Sequence, residues 1–299
     1  MSNNLIEDLS IIVFSKNRPL QLHGYIESLL YFSEIPQSSI TVLYTHSEEV
    51  KYGELIEQYP GISWIKESSF FANLQSVLDA SKEYLMFGCD DVIFKDSIDF
   101  SLALNALMND KNLFGFSLRL GENITPVPSE LDRSANVLKW NWADCNTAHW
   151  DYPWELDSTI YRRADVLQIV SMLNPDVVKN PNYLENEVAS KPDRYITKNK
   201  LASFKNGKCI VLTVNRVQDD FLNSFDNTIN TDIHALDKLY RNNYKIDFLT
   251  ISKKTNSAIH VGAEFLKLTR NGKPYRNTGL QIKIFIKRVV SLGKRLVSN

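Results

Sequence analysis

Apolar residues in the first third of the chain come in short blocks, separated by stretches of helical periodicity. Ile11-Ile12-Val13-Phe14 is the first block, Ile40-Thr41-Val42-Leu43-Tyr44 the second and Ile62-Ser63-Trp64-Ile65 the third. A fourth runs from Tyr84 to Phe87 and resumes at Val92-Ile93-Phe94, after Gly88-Cys89-Asp90-Asp91. Continuous apolar blocks of this kind read as strands buried on both faces. Between them, Leu22, Ile26, Leu29 and Leu30 share one helical face, as do Phe71, Leu74, Val77 and Leu78. Glu49 to Tyr59 is polar and helix-forming, and Pro60-Gly61 closes it. Strand and helix thus alternate from Ile11 to Phe94, which predicts an α/β domain with a mostly parallel central sheet and helices on both faces.

The pattern then changes. Phe114, Phe116, Leu118 and Leu120 alternate with other residues, predicting a strand with two distinct faces. Gly121 to Arg133 is rich in Pro, Ser, Asn and Gly and reads as a long loop. Trp140, Trp142, Trp150 and Trp154 form an aromatic cluster with Tyr152, better suited to packing than to stacking on a sugar. Helices are expected over Ala164 to Met172 and after Asn182, the latter capped by Asn182. Cys209 to Thr213 reads as a late strand, and Thr231 or Asp232 as the cap of a helix carrying Ile233, Leu236, Leu239 and Tyr240.

In parallel sheets ligands gather at the carboxyl ends of the strands. That rule brings Ser15 to Arg18, Thr45 to Ser47 and Asp90-Asp91 around one crevice. Two adjacent carboxylates at the end of a buried strand repel each other and lose water, so they call for a cation or strong donors. Mg²⁺ or Mn²⁺ carrying a diphosphate is one way to balance them; a plain acidic turn or helix cap is the other reading. The turn after the first strand, Ser15-Lys16-Asn17-Arg18-Pro19, contains no glycine. It is therefore neither a dinucleotide-binding turn nor a P-loop.

Composition narrows the picture further. The 299 residues carry a formal net charge of −1, which leaves no global nucleic-acid footprint. Cys89, Cys145 and Cys209 are scattered and odd in number, with neither disulfide nor zinc spacing, as expected in a reducing cytosol. No signal peptide is expected at the N-terminus, and no apolar run is long enough to span a membrane. From Gln281 to Asn299 the chain carries Lys283, Lys287, Arg288, Lys294 and Arg295 and no acid, interleaved with apolar residues. A basic amphipathic tail of this kind suits a membrane surface; a terminal helix packed on the domain is the alternative.

Taken together, Ser-Lys-Asn-Arg-Pro after the first strand, Asp-Asp-Val-Ile-Phe after the fourth, then Tyr161-Arg162-Arg163 and Glu185-Asn186-Glu187 resemble the glycosyltransferases of the GT-A fold, family 2-like. The resemblance spans residues 9 to 265 and implies a GT-A domain over 1–265 with a basic helical extension over 266–299. It implies transfer of a sugar from a UDP- or GDP-linked donor to a glycan or lipid-linked acceptor, with Mn²⁺ or Mg²⁺ as cofactor and inversion at the sugar carbon. A cytosolic enzyme, peripheral on the membrane through residues 281–299, follows.

Residue by residue, the resemblance implies that Ser15, Asn17 and Arg18 hold the donor nucleotide. Asp90 serves the donor and is the first choice as metal ligand, Asp91 the second, and His260 a late metal-site histidine. A partly buried structural histidine is the competing reading of His260. Gly115 to Leu120 runs beside the donor sugar, with Gly115 the donor-binding residue. The base is Glu185 or Glu187, with Asp157 a third candidate. Two positions depart from the pattern: Gly88 stands where the first acid of an Asp-x-Asp motif belongs, and Asn186 where an Asp is common. They leave open a non-catalytic carbohydrate-binding or scaffold protein of the same fold. A sugar-nucleotide pyrophosphorylase is the other rival, disfavoured by the glycine-free first turn.

Overall fold

The computed structural model describes residues 5–133, 136–215 and 232–275. The expected alternation is present: β1 (Leu9–Lys16), α1 (Pro19–Phe32), β2 (Ile40–Thr45), α2 (Gly53–Gln58), β3 (Ser63–Lys66), α3 (Phe70–Ala80) and β4 (Tyr84–Cys89) follow one another. After Asp90-Asp91 come β5 (Val92–Phe94), α4 (Phe100–Asn109), β6 (Leu113–Ser117), β7 (Val137–Asn141), β8 (Thr159–Arg162), α5 (Arg163–Ser171), α6 (Pro181–Ala189) and α7 (Pro192–Tyr195). The described chain closes with β9 (Lys200–Phe204), β10 (Cys209–Leu212), α8 (Ile233–Arg241), β11 (Lys245–Ile246), α9 (Phe248–Ser252), β12 (His260–Val261), β13 (Leu268–Arg270) and β14 (Lys273–Pro274).

The central sheet has the strand order β3-β2-β1-β4-β8-β6-β9-β7. Its first four strands are all parallel. β8 runs antiparallel between β4 and β6, β6 and β9 are parallel again, and β7 closes the edge antiparallel. The expected architecture, a mostly parallel sheet with helical cover, is thus found. Five consecutive buried residues in β1, from Ile11 to Ser15, require cover on both faces. The chain order reverses beside β1: β2 and β3 build outward on one side and β4 is added on the other. This reversal opens a crevice at the carboxyl ends of β1 and β4, where open α/β sheets bind ligands.

A second sheet, β12-β10-β5, stands beside this crevice. The late strand beginning at Cys209 belongs here: β10 pairs antiparallel with β5 and parallel with β12. A third small sheet joins β11, β13 and β14, so packed structure continues past residue 265. The tail from 276 onward, with its basic stretch 281–299, lies outside the described residues.

Several local expectations are corrected by packing. β6 is buried at every position, so both of its faces are covered and it does not show two distinct faces. α6 is capped by Asn180, whose side chain accepts from the Tyr183 N–H, and Pro181 occupies the first helical position; the helix therefore starts before Asn182. Asp232 caps α8 through the Ala235 N–H. All four tryptophans of the cluster are buried; Trp140 packs edge-on against Trp150 and donates to its carbonyl at 2.8 Å.

Candidate active site

A cavity of about 1030 Å³ lies at the reversal point. Its walls carry Ser15, Lys16 and Arg18 from the β1–α1 turn, Thr45 from β2, Asp90 and Asp91 from the end of β4, and Asp157 from the segment entering β8. Glu185 comes from α6 and His260 from β12. Nineteen helices and strands of the described chain thus separate β1 from β12, and the fold gathers these residues.

The β1 turn is built to present Arg18. Asn17 adopts a left-handed backbone, φ 57°, which asparagine tolerates better than most residues. That conformation lets the Asn17 N–H reach the Thr45 carbonyl at 3.2 Å and its side-chain oxygen accept from the Ser47 N–H at 2.8 Å. Asn17 therefore ties the β1 and β2 loops together from outside the cavity wall. Arg18 caps α1, and its side chain turns back over the end of β4.

Arg18 meets both acids with one nitrogen. Its Nη1 lies 3.0 Å from Asp90 Oδ1 and 2.9 Å from Asp91 Oδ2. Its other terminal nitrogen donates to the Asn215 carbonyl. Asp90 is 3% exposed, and its second oxygen accepts from the Ser15 hydroxyl at 2.8 Å and the Lys16 N–H at 3.2 Å. The Ser15 proton is thereby committed to Asp90, so the Tyr52 hydroxyl, 2.8 Å from Ser15, donates to Ser15 and accepts from the Arg18 N–H. Burial pushes Asp90 up to about 6 even with Arg18 beside it. The same two carboxylates hold the Arg18 guanidinium more firmly protonated than usual, against its burial.

Position 88 explains itself sterically. A Cβ there would lie 2.2 Å from the Tyr25 hydroxyl, and Tyr25 is wholly buried in α1. The place an aspartate side chain would need is filled by that ring.

The opposite wall is acidic. Tyr152 donates its hydroxyl to Glu185 Oε1 at 3.0 Å. Burial first, then Asp157 and Glu155, raise Glu185 to about 8, while Arg119 and the Tyr152 hydrogen bond pull the other way. Burial and Asp91 raise Asp157 to about 6. Behind them Glu155 is buried, accepts from the Thr159 hydroxyl and the Asp157 N–H, and lies 3.4 Å from Arg119 Nε. His260 and His149 stand near each other at the rim, ring centroids 6.2 Å apart, and burial and Arg119 hold both in the neutral form more strongly than usual.

Of the residues singled out from the sequence, Ser15, Arg18, Asp90, Asp91, Asp157, Glu185 and His260 meet in this one cavity. Glu187 lies elsewhere, accepting from Lys191 and Tyr195 at 2.9 Å each. Gly115 sits inside the sheet opposite Tyr161, where a Cβ would come within 2.9 Å of Thr159 and Tyr161. Arg119, from the stretch expected beside the donor sugar, lines the cavity, while Tyr152 and Glu155 belong to the site without having been singled out for it. Glu155 and Tyr152 flank the Trp154 cluster and Arg119 follows β6, but no local pattern marks them as neighbours of Glu185.

No protein-family model matches the chain. It is 28% identical over 305 aligned positions to the bifunctional glycosyltransferase pgtA of Dictyostelium discoideum, an alignment covering 86% of this chain and 39% of that protein. The chain is similar to a glycosyltransferase. The resemblance drawn from the sequence is matched by that curated relative, of whose length this chain spans about two fifths. Among solved structures, S. aureus TarS superposes with a TM-score of 0.46 at 15% identity, over 68% of this chain and 36% of that one. The mannosyltransferase PcManGT from Pyrobaculum calidifontis, in complex with GDP-Man and Mn²⁺, gives 0.41 at 11% identity, over 76% and 59%. Likenesses at those scores are loose.

Proposed function

We propose that this chain is a glycosyltransferase that moves a sugar from a nucleoside-diphosphate donor to an acceptor hydroxyl, with Glu185 as the general base. One observation carries the reading. A half-buried carboxylate, held up to about 8 and fixed by Tyr152, shares a cavity with the Arg18–Asp90–Asp91 cluster at the sheet's reversal point. A base works best when its proton affinity lies near the working pH. The similarity to a curated glycosyltransferase supports the same reading.

In this reading the nucleotide lies over the ends of β1 and β2, and the diphosphate beside Arg18 and the acids it pairs. Glu185 takes the proton of the acceptor hydroxyl as the new bond to the sugar carbon forms. The bond to the diphosphate oxygen breaks on the opposite side, so the configuration inverts. Charge builds on the departing diphosphate, where the Arg18 cluster meets it. Neutral rims at His149 and His260 leave room for the acceptor.

The residues present fit a divalent ion only in part. Among the described residues no group of three or more acids, histidines or cysteines is arranged to hold one. Asp90 is satisfied on both oxygens, which supports a role in anchoring Arg18 over one as a metal ligand. Asp91 and His260 are the pair left to hold Mn²⁺ or Mg²⁺, with Asp157 nearby, and Asp91's charge on Asp157 is a deficit a cation would relieve. Such ions take one or two protein carboxylates and complete their shell with water and phosphate oxygens. When bound, the ion would help neutralise the leaving diphosphate.

Donor nucleotide, uridine or guanosine diphosphate, is settled by a screen of sugar donors read as nucleotide release, with and without Mn²⁺. Glu185→Gln must lower release at least about a hundredfold while leaving donor-induced thermal stabilisation in place. Absence of stabilisation by every nucleotide sugar leaves the scaffold reading instead. The acceptor is a glycan or lipid-linked hydroxyl, and the basic stretch 281–299 brings the enzyme to the membrane surface. Among the described residues no helix is long and apolar enough to cross a membrane. Deleting 281–299 should shift the protein from the membrane fraction to the soluble one; an unchanged distribution removes that part of the reading.

A further inference from the structure

We infer that the donor sugar is an uncharged one, and that Arg119 reads its hydroxyl groups. The inference rests on the glycosyltransferase reading, because it takes the sugar's place from the reaction. The reacting carbon must lie between the leaving diphosphate, at Arg18 and Asp91, and the base, Glu185. The sugar ring therefore covers Asp157 and Arg119, both in the cavity wall between those points.

Arg119 is 3% exposed and not spent on the fold. Neither its Nε nor its Nη2 completes a hydrogen bond among the described residues; Nε stands 3.4 Å from Glu155 Oε2, an ion pair without hydrogen-bond geometry. The Tyr152 ring covers one side, its centroid 6.0 Å from Cζ. A buried donor left without a partner is costly, and a ligand oxygen removes the cost. A carboxylate on the sugar is the obvious candidate for such a guanidinium, but the charge around it speaks against one. Glu155, Asp157 and Glu185 all act on this single cation. Any divalent ion arriving with the donor is matched in charge by the diphosphate it accompanies. A sugar carboxylate placed here would compete with Glu155, already 3.4 Å from Arg119, and would face Asp157 in the same wall, with Glu185 adding a third negative charge once it ionises. A hydroxyl meets no such penalty, since it accepts from Arg119 and donates to Asp157.

Paired donors sharing a nucleotide test this on the intact protein: UDP-glucose against UDP-glucuronate, UDP-galactose against UDP-galacturonate, and GDP-mannose against GDP-mannuronate. Binding is read by calorimetry and turnover by nucleotide release. The neutral member of the productive pair should be favoured at least tenfold in both. A uronate that binds or reacts as well as its neutral partner overturns the inference while leaving the glycosyltransferase reading intact. Binding of no nucleotide sugar at all overturns both. Arg119→Met should weaken the neutral donor at least tenfold and leave affinity for the free nucleoside diphosphate unchanged, with Arg119→Lys partly restoring the donor. Equal loss for donor and free diphosphate would place Arg119 at the phosphates and refute its role at the sugar. The donor pairs need no variant, so the inference stays open to refutation even if Arg119→Met fails to fold.

Discussion

The Tyr152 hydroxyl donates to Glu185 Oε1 at 3.0 Å, fixing the carboxylate on the cavity wall while a second oxygen stays available. Removing the base and removing its anchor should therefore differ. Glu185→Gln should lower turnover by about 10²–10⁴-fold, the usual contribution of a general base, with donor affinity retained. Tyr152→Phe keeps the carboxylate but loses a bond that favours its charged form. Its loss should be smaller, and the pH–rate profile should shift to higher pH. A Tyr152→Phe profile that moves to lower pH would contradict the assignment.

The pH dependence of rate and of stability should run in opposite directions. Glu185 must be ionised to accept a proton, so turnover should rise with pH through about 8 and level off above it. Stability follows the opposite sense. The folded state holds Glu185 at about 8 and Asp157 at about 6, both above their ordinary values, so it binds protons the unfolded chain has released. Their contribution is complete below the ordinary carboxylate range and is lost as pH climbs through 6 and then 8. Melting temperature measured from pH 5 to 9 should fall across that window, and the upper part of the fall should vanish in Glu185→Gln.

Arg18 is the counter-charge of two recessed acids. Arg18→Met should destabilise the fold by about 3–5 kcal/mol, the cost of leaving a buried charge without its partner. The companion change Asp90→Asn should restore much of that loss, because it removes the orphaned charge at Asp90 and leaves Asp91, the more exposed of the two, to water. Urea unfolding of the single and double variants measures the coupling.

Restoring an acid at position 88 should fail. Gly88→Ala already brings a Cβ to 2.2 Å from the Tyr25 hydroxyl and 2.7 Å from its Cζ, so an overpacking cost of about 1–3 kcal/mol is expected. Gly88→Asp should be less stable still, and no more active. Tyr25→Phe should relieve Gly88→Ala only in part, since the ring carbon remains close. Thermal melts of the four proteins decide it, and a Gly88→Asp enzyme with higher turnover would reverse the steric account.

The sheet strands and their crevice were legible because their signals are local. An apolar block such as Ile11 to Phe14 declares a covered strand wherever it lies, and an Asn-Arg-Pro turn declares where a helix begins. Since parallel strands align their carboxyl ends, Ser15, Arg18, Asp90 and Asp91 were brought together by rule. The expected two-faced strand at Phe114 failed because burial of β6 depends on what covers it, which alternation does not report.

The sequence alone determined the alternating α/β plan, the placement of the tandem acids at a strand end and the small set of acids from which a base had to come. Only the tertiary structure puts Glu185 and Asp157 in the cavity wall and leaves Glu187 out of it. Glu185 and Glu187 lie two residues apart on one helix, so they point to different sides, and which side meets the cavity depends on how α6 is docked. Docking likewise brought Tyr152, Glu155 and Arg119 around Glu185, and put Tyr25 where an acid at position 88 would have stood. Spacing along a chain fixes the period of an element; its rotation about its own axis is set by what it packs against, and at this site that rotation decides the chemistry.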